Sequence, residues 1–493
     1  MGRKPTFSES IAALAITFTI CLVGIVVLKV DAHIPIFIGV SILIPFGFYL
    51  KWSWKDLEKG MFNGIKSALL PMLIIMFIGM VISGWIACGT VPYLIYWGLK
   101  LLSPTWFLPT SVIMCTVMSM SIGSSWTTIG TLGVALMGVG SGMGIPPAMT
   151  AGAVATGAFF GDKQSPLSDT TNFAAAVSGS TLYEHIRSMM YTTLPTLLIS
   201  LCIYSFLGFR YGGSNFDNTT TDLILKTLDG SYNLSPVLLI PLVVLIVMVL
   251  KKVPALIAMM VAALMGLVFT IVFQNDSIAV ASKYLHYGFT SNTGVASVDK
   301  LLTRGGLQSM MWTISLMFMA FSLAGILQVT QTLKVTLEML ASLVKDAFGL
   351  ISTTIWSTIF MNFMTGEVFM PMLLSAKIFS PVYDKQNLDR KVLSRSVEDG
   401  GTVVAPLVPW GMCGVYTAVT LGIPTLEYAP YYLLGIINPF ISMLFAFIGF
   451  GLFRKTVSQE MGSVTVVEDD MNEDLWRDGA KINKQGYGGF IGK

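Results

Sequence analysis

Apolar runs alternate with short polar interruptions along most of the chain. Runs at 11–29, 34–50, 67–87, 105–120, 189–209, 235–250, 253–274, 305–328 and 434–453 approach the ~20 residues an α-helix needs to cross a bilayer. Two further apolar segments, 121–178 and 362–422, are interrupted by Gly and Pro and fit no simple spanning helix. Polar loops are expected at 51–60, 210–233 and 275–303, and from Arg454 a polar tail with the acidic patch "VEDDMNED" reads as disordered. The pattern predicts an all-α polytopic membrane protein.

Composition narrows this. The 493 residues are 54% hydrophobic and 12% charged, with mean hydropathy +0.73; a soluble globular protein carries about twice that charge. A net charge of +3 gives no support for a nucleic-acid partner. Cys21, Cys88, Cys115, Cys202 and Cys413 form no CxxC pair and read as packing residues, not a disulfide framework or zinc site. The first apolar run lacks a small-residue cleavage site after it, so it reads as a retained span. Lys51, Lys55 and Lys59, Lys251 and Lys252, and Arg454 and Lys455 all fall on the cytoplasmic side if both termini do. That scheme places "DAHIP", 210–233 and 275–303 outside.

Internal similarity adds an architectural expectation. "IIMFIGMVISGWI" (74–86) lines up with "SLMFMAFSLAGIL" (315–327), matching Met76, Phe77 and Gly84 to Met317, Phe318 and Gly325. At the same offset Gly64 meets Gly305 and "SIGSSWTTIG" meets "NFMTGEVFMP"; one residue out of step, "SPL" at 165–167 meets "APL" at 405–407. By the charge scheme the copies enter the membrane from opposite sides. Inverted repeats with broken helices are a mark of secondary transporters, whose site lies near the midplane. The expected organisation is two N-terminal spans (1–60), repeat one (61–210), a linker with two spans (211–304), repeat two (305–455) and a cytoplasmic tail (456–493).

The charges inside apolar sequence cluster at the breaks. A charged side chain at mid-membrane costs at least ~2.5 kcal/mol, so it faces a cavity or a partner. Asp162, Lys163 and Asp169 lie in "GAFFGDKQSPLSDTTN", Glu398 and Asp399 in "LSRSVEDGGTVVAPLVPWG", and Glu367 in an earlier break. Pro166 disfavours helix around itself, and Gly400, Gly401, Pro406 and Pro409 loosen the second segment. Freed carbonyls can then join Ser165, Ser168, Thr170, Thr171, Asn172 and an Asp as oxygen ligands. A hard cation such as Na⁺ prefers an all-oxygen set, and a carboxylate there also binds H⁺. Asp169, with Thr170 and Asn172, is the foremost Na⁺ candidate, because it follows the proline break and begins "DTTN". Against this stand plainer readings: Asp162–Lys163 as a surface ion pair, Arg395 with Glu398–Asp399 as a structural salt bridge, and most hydroxyls of "GSSWTTIG" as helix packing. His33, His185 and His286 lie outside the interrupted segments, and His185 in "LYEHIR" reads as interfacial. Absence of GxxxxGK[ST], HExxH and GxSxG motifs leaves ATP-driven transport and proteolysis without a basis.

"GSSWTTIGTLGVALMG", "FFGDKQSPLSDTTN", "LYEHIRSMMYTTLP" and "LSRSVEDGGTVVAPLVPWGMCG" together resemble the NhaC-type Na⁺/H⁺ antiporters of bacteria, over about residues 10–455. The resemblance implies a bacterial inner-membrane antiporter of the ion-transporter superfamily, a homodimeric scaffold with a moving transport domain, and no cofactor beside the transported Na⁺ and H⁺. It also implies that Asp162 to Asn172 and Glu398 to Thr402 form the transport site. Where many members of that family carry Asn-Thr between the Trp and Cys of "PWxxCG", this chain has Gly411 and Met412. Two polar side chains are lost and space is expected to open. The family also includes exchangers of protonated malate for Na⁺ and lactate, so a small organic acid held by Lys163 is the alternative cargo. A passive ion channel and a membrane enzyme are the remaining, weaker alternatives.

Overall fold

The computed structural model describes residues 2–212, 218–251 and 253–454, and among these the regular structure is helical apart from two isolated bridges, Phe289–Arg304 and Leu388–Arg454. Lys252, Lys455 and the tail from 456 lie outside the described residues. The first part runs α1 (Phe7–Leu22), α2 (His33–Tyr49), α3 (Trp54–Ala87), α4 (Thr90–Leu101) and α5 (Pro104–Ile122). The first interrupted segment holds α6 (Ser125–Thr128), α7 (Val134–Gly142), α8 (Pro147–Gln164) and α9 (Asp169–Ser178). Then come α10 (Leu182–Gly212), α11 (Asn218–Ser231), α12 (Ile240–Leu250), α13 (Ala255–Gln274), α14 (Ile278–Tyr287) and α15 (Ala296–Leu302). The second half comprises α16 (Met311–Val329), α17 (Thr332–Ser342), α18 (Ala347–Thr365), α19 (Phe369–Lys385), α20 (Arg390–Gly400), α21 (Met412–Leu421), α22 (Thr425–Tyr428) and α23 (Leu433–Ile448). Eight helices among the described residues are long and apolar enough to cross a membrane, and two more candidates are pairs bent by 98° and 53°.

The expected polar loops are largely helical. Ser53 Oγ accepts the Asp56 N–H while the Asp56 carboxylate accepts the Ser53 N–H, a capping box that starts α3 at Trp54 and puts Lys55 and Lys59 on the helix. Segment 210–233 contains α11, and 275–303 contains α14 and α15. The apolar pattern also passed over α18, a helix of spanning length whose Ser and Thr residues lower its hydropathy to 1.3. Several of those hydroxyls bond back within the helix: Thr354 donates to the Leu350 carbonyl at 2.8 Å and Thr358 to that of Thr354 at 2.7 Å.

Glycine sets the close crossings. Helices α3 and α16, which carry the two aligned stretches, pack on each other: a Cβ on Gly64 would lie 2.0 Å from the Phe321 carbonyl oxygen, and one on Gly325 2.1 Å from that of Gly60. In "GAFFG", Gly157 and Gly161 bring α8 against α5, where added Cβ atoms would meet the carbonyl oxygens of Val112 and Thr116 at 2.2 and 2.4 Å. Small residues four apart allow this approach, which is how helices associate without a hydrophobic driving force. Left-handed residues recur at near-constant spacing: Gly89 before α4 and Gln331 before α17, Gly123 after α5 and Gly366 after α18, Gly179 after α9 and Gly422 after α21.

Candidate functional site

Helix α8 ends at Gln164, two residues before Pro166, and α9 begins at Asp169 behind its cap Ser168, whose hydroxyl accepts the Thr171 N–H at 3.3 Å. Asn172 folds back to donate to the Pro166 and Ser168 carbonyls at 2.9 and 2.7 Å, closing the break. In the second half α20 ends at Gly400 and the chain runs irregularly to α21. Helix α9 packs against α19 and α20, so the two breaks face each other.

At their meeting point lies a buried triad. The Lys163 ammonium donates to Asp162 Oδ2 at 3.0 Å, Glu398 Oε1 at 3.1 Å and Thr170 Oγ1 at 2.5 Å. Its three protons therefore have three acceptors. Lys163 and Glu398 are 0% exposed and Asp162 4%. Thr402 donates to Glu398 Oε1, Ser125 to Asp162 Oδ2 at 3.2 Å, and Ser168 lies 3.1 Å from Thr170 Oγ1. Asp162 Oδ1 and Glu398 Oε2 are buried with no hydrogen-bond partner. Two ionised carboxylates around one ammonium leave a net charge of −1.

Of the sequence candidates, Asp162, Lys163, Ser168, Thr170, Glu398 and Thr402 are thus brought together. Thr171 donates to the Asp162 carbonyl at 3.2 Å, and the Ser165 hydroxyl accepts the Leu167 N–H at 3.3 Å; both serve the backbone of the break. Asp169 is exposed at the first turn of α9, and its Oδ1 accepts the Thr170 N–H at 2.8 Å. Glu367 accepts the Met370 N–H at 3.0 Å and caps α19. Asp399 points from α20 toward α10 and α23, where Asn438 donates to its Oδ1 at 2.6 Å and Thr192 at 3.4 Å. Arg395 forms no salt bridge with either acid among the described residues; its Nη2 donates to the Gly451 carbonyl at 3.1 Å.

Ser125, a possible ligand in "GSSWTTIG" that read chiefly as packing, proves to be the partner of Asp162, and sequence reasoning missed Asn438 and Thr192 as partners of Asp399. Asn438 was visible as a lone amide in an apolar run, and Thr192, Thr196 and Ser200 as hydroxyls four residues apart on α10. His185 is buried, not interfacial, with Nδ1 2.8 Å from Ser394 Oγ on α20. The space expected at Gly411 and Met412 is filled: a Cβ on Gly411 would meet Val408 at 3.0 Å, and Met412 is buried. The rings of Trp126 and Tyr416 stack at 4.2 Å, and the Tyr416 hydroxyl donates to the Trp126 carbonyl at 2.5 Å, tying the two interrupted segments together.

Residues 157–450 match the model of the Na⁺/H⁺ antiporter family. Over 458 residues the chain is 38% identical to the Na⁺/H⁺ antiporter NhaC of Alkalihalophilus pseudofirmus, covering 92% of this chain and 98% of that protein. It is 36% identical over 458 residues to the arginine/ornithine antiporter ArcD of Halobacterium salinarum (92% and 94% covered). To the malate-2H⁺/Na⁺-lactate antiporter of Bacillus subtilis it is 34% identical over 447 residues (91% and 96%).

Proposed function

The chain belongs to the Na⁺/H⁺ antiporter family, and from that premise we propose that this multi-pass bacterial membrane protein exchanges Na⁺ for H⁺ at the Asp162–Lys163–Glu398 triad. One observation carries the assignment: Lys163 is saturated between two carboxylates, so the buried group retains one uncompensated negative charge. Loading one Na⁺ or one H⁺ brings the triad to neutrality. Unloaded, it holds a charge whose burial costs several kcal/mol. The carrier therefore reorients readily with either cargo and poorly with neither, which is the condition for exchange instead of leak.

In this reading Asp162 Oδ1 and Glu398 Oε2 receive the cargo, Ser125 and Thr402 orient the carboxylates, and Thr170 and Ser168 complete an oxygen-rich wall. Asp169, exposed one residue before Thr170, is the carboxylate an incoming cation meets first. The recurrent left-handed positions and the mutual packing of α3 and α16 support two related halves, whose inverted arrangement would supply alternating access. The second reading, organic-acid exchange coupled to Na⁺ and H⁺, draws on the malate/lactate relative. Lys163 is a poor receptor for that acid, since its donors are already engaged.

Proton movement in reconstituted vesicles, driven by Na⁺, Li⁺ or K⁺ with and without malate or lactate, tests this. Na⁺-driven H⁺ flux without any organic acid is expected. Flux that requires malate or lactate would overturn the leading function.

A further inference from the structure

We propose that a cavity beside Arg304, remote in sequence from both breaks, binds a small carboxylate anion. The cavity has a volume of about 340 Å³ and is walled by Arg304, Ile82, Thr290, Met310, Val419 and Thr420. That is near the lower end of small-molecule sites, roughly 300–1,000 Å³, so it suits a ligand of few heavy atoms.

The local fold holds Arg304 in place. The Phe289 N–H bonds the Arg304 carbonyl at 3.3 Å, and the Gly306 N–H bonds the Gly79 carbonyl of α3 at 2.7 Å. Gly288, Gly305 and Gly306 take φ of 100°, 84° and 88°, so the loop folds flat against α3 in a form that side chains would oppose. From this anchored backbone the guanidinium reaches the C-terminal end of α21: a Cβ built on Gly422 would lie 3.7 Å from Arg304 Nη2.

The guanidinium is half-buried, and among the described residues it has no hydrogen bond and no carboxylate partner. No Asp or Glu lines the cavity. Burial lowers the pKa of Arg304, as expected for a charge that lacks compensation. The helix end supplies only a partial negative charge, ~0.5 of an elementary charge, and leaves the five N–H donors unmet. A planar carboxylate matches that donor fork bidentately. Thr290 and Thr420 can meet a hydroxyl on the ligand, while Ile82, Met310 and Val419 face its carbon chain. The contrast with Lys163 is direct: that buried cation has all its donors taken, whereas among the described residues the half-buried Arg304 has none taken.

The test uses the purified full-length protein at constant Na⁺, with calorimetric titration and thermal unfolding against lactate, malate, phosphate and chloride. Lactate or malate is expected to bind saturably and raise the unfolding temperature. Loss of charge-assisted hydrogen bonds worth ~1.5–3 kcal/mol means Arg304→Gln weakens binding about 10- to 100-fold, and Arg304→Lys restores part of it. Thr290→Trp, at an exposed rim position, should weaken binding with the arginine intact, which keeps the proposal testable if Arg304→Gln misfolds. Glu398→Gln should bind the carboxylate as the parent does, separating this site from the triad. Absence of saturable carboxylate binding, parental affinity in both Arg304→Gln and Thr290→Trp, or binding of phosphate or chloride alone would each overturn the proposal.

Discussion

Replacing Glu398 by Gln isolates the charge arithmetic of the triad. Glu398 Oε1 takes hydrogen bonds from Lys163, at 3.1 Å, and from Thr402. Gln presents an oxygen at the same place and has nearly the same volume, so the packing of α20 should be preserved. What changes is the charge. The unloaded triad goes from −1 to zero, and cargo is no longer needed for neutrality. A charge inside the bilayer costs ~2.5–3.5 kcal/mol on insertion scales, and 1.4 kcal/mol is a factor of ten. The advantage of the loaded over the unloaded carrier, about 10²-fold, is therefore what the substitution removes.

The assay is H⁺ flux from proteoliposomes under an imposed pH gradient, titrated with Na⁺. The parent should show saturable Na⁺-driven H⁺ movement. Glu398→Gln should need about 10²-fold more Na⁺, which places half-saturation beyond the accessible range, while its unfolding temperature stays near the parental value. A folded Glu398→Gln protein with parental Na⁺ dependence would refute the assignment of the exchanged charge to this triad.

Three further outcomes follow from other parts of the fold. Asp169→Asn removes an exposed carboxylate whose attraction for an incoming cation is that of an exposed ion pair, ~0.2–1 kcal/mol; apparent Na⁺ affinity should fall up to about fivefold with maximal flux retained, and complete loss of flux would show Asp169 to be a core ligand instead. Gly64→Ala places a methyl 2.0 Å from the Phe321 carbonyl oxygen, so α3 and α16 must separate at a cost of ~1–3 kcal/mol, read as a lower unfolding temperature; an unchanged midpoint would contradict the close crossing. Asp299 receives the Thr293 N–H and the hydroxyls of Thr293 and Ser291 at 2.7–2.8 Å, and these bonds, led by the Thr293 N–H, hold its carboxyl below the usual range. A depressed folded pKa stabilises the loop above the unfolded value, near 3.9, and the contribution vanishes as pH falls through the folded value. Amide exchange across 289–303, corrected for intrinsic rates, should be slow at neutral pH and accelerate in acid, and Asp299→Asn should exchange fast at both; identical profiles for the two proteins would remove Asp299 as the clasp.

Much of the site was legible because the membrane makes charge conspicuous. Asp162, Lys163 and Glu398 stand out in apolar sequence, and Pro166 and the Gly400–Gly401 pair announce the breaks. The resemblance joined the two segments in one site, but which side chains meet there was not legible, since pairings across the fold leave no local pattern. Lys163 read equally well as a surface partner of Asp162, and only the approach of α9 to α20 makes it a bridge to Glu398. Asp169 was ranked first on its place after the proline, yet the helix phase of α9 turns Thr170 inward and leaves Asp169 exposed. His185 followed an amphipathic pattern that suited an interface equally with a protein-facing stripe, and α20 covers that stripe. Arg304 was not singled out by sequence reasoning, because nothing in the sequence shows that a charge lacks a partner.

The resident ammonium explains why exchange would be obligatory at this site. Two buried carboxylates without Lys163 would carry a charge of −2 and need two compensating cations to cross the membrane neutral. With Lys163 fixed between them, one position for charge remains, and Na⁺ and H⁺ must compete for it. That position is built from both segments: Asp162 and Thr170 come from one break, Glu398 and Thr402 from the other. A movement that exposes it to one side would keep the Lys163 bridge intact if α8, α9 and α20, which carry the bridged residues, moved as one body. A passive channel needs neither the neutralising lysine nor the shared construction, since it never has to occlude its ion. In the proposed mechanism Lys163 would therefore distinguish a carrier from a pore, by limiting the cargo to one charge at a time.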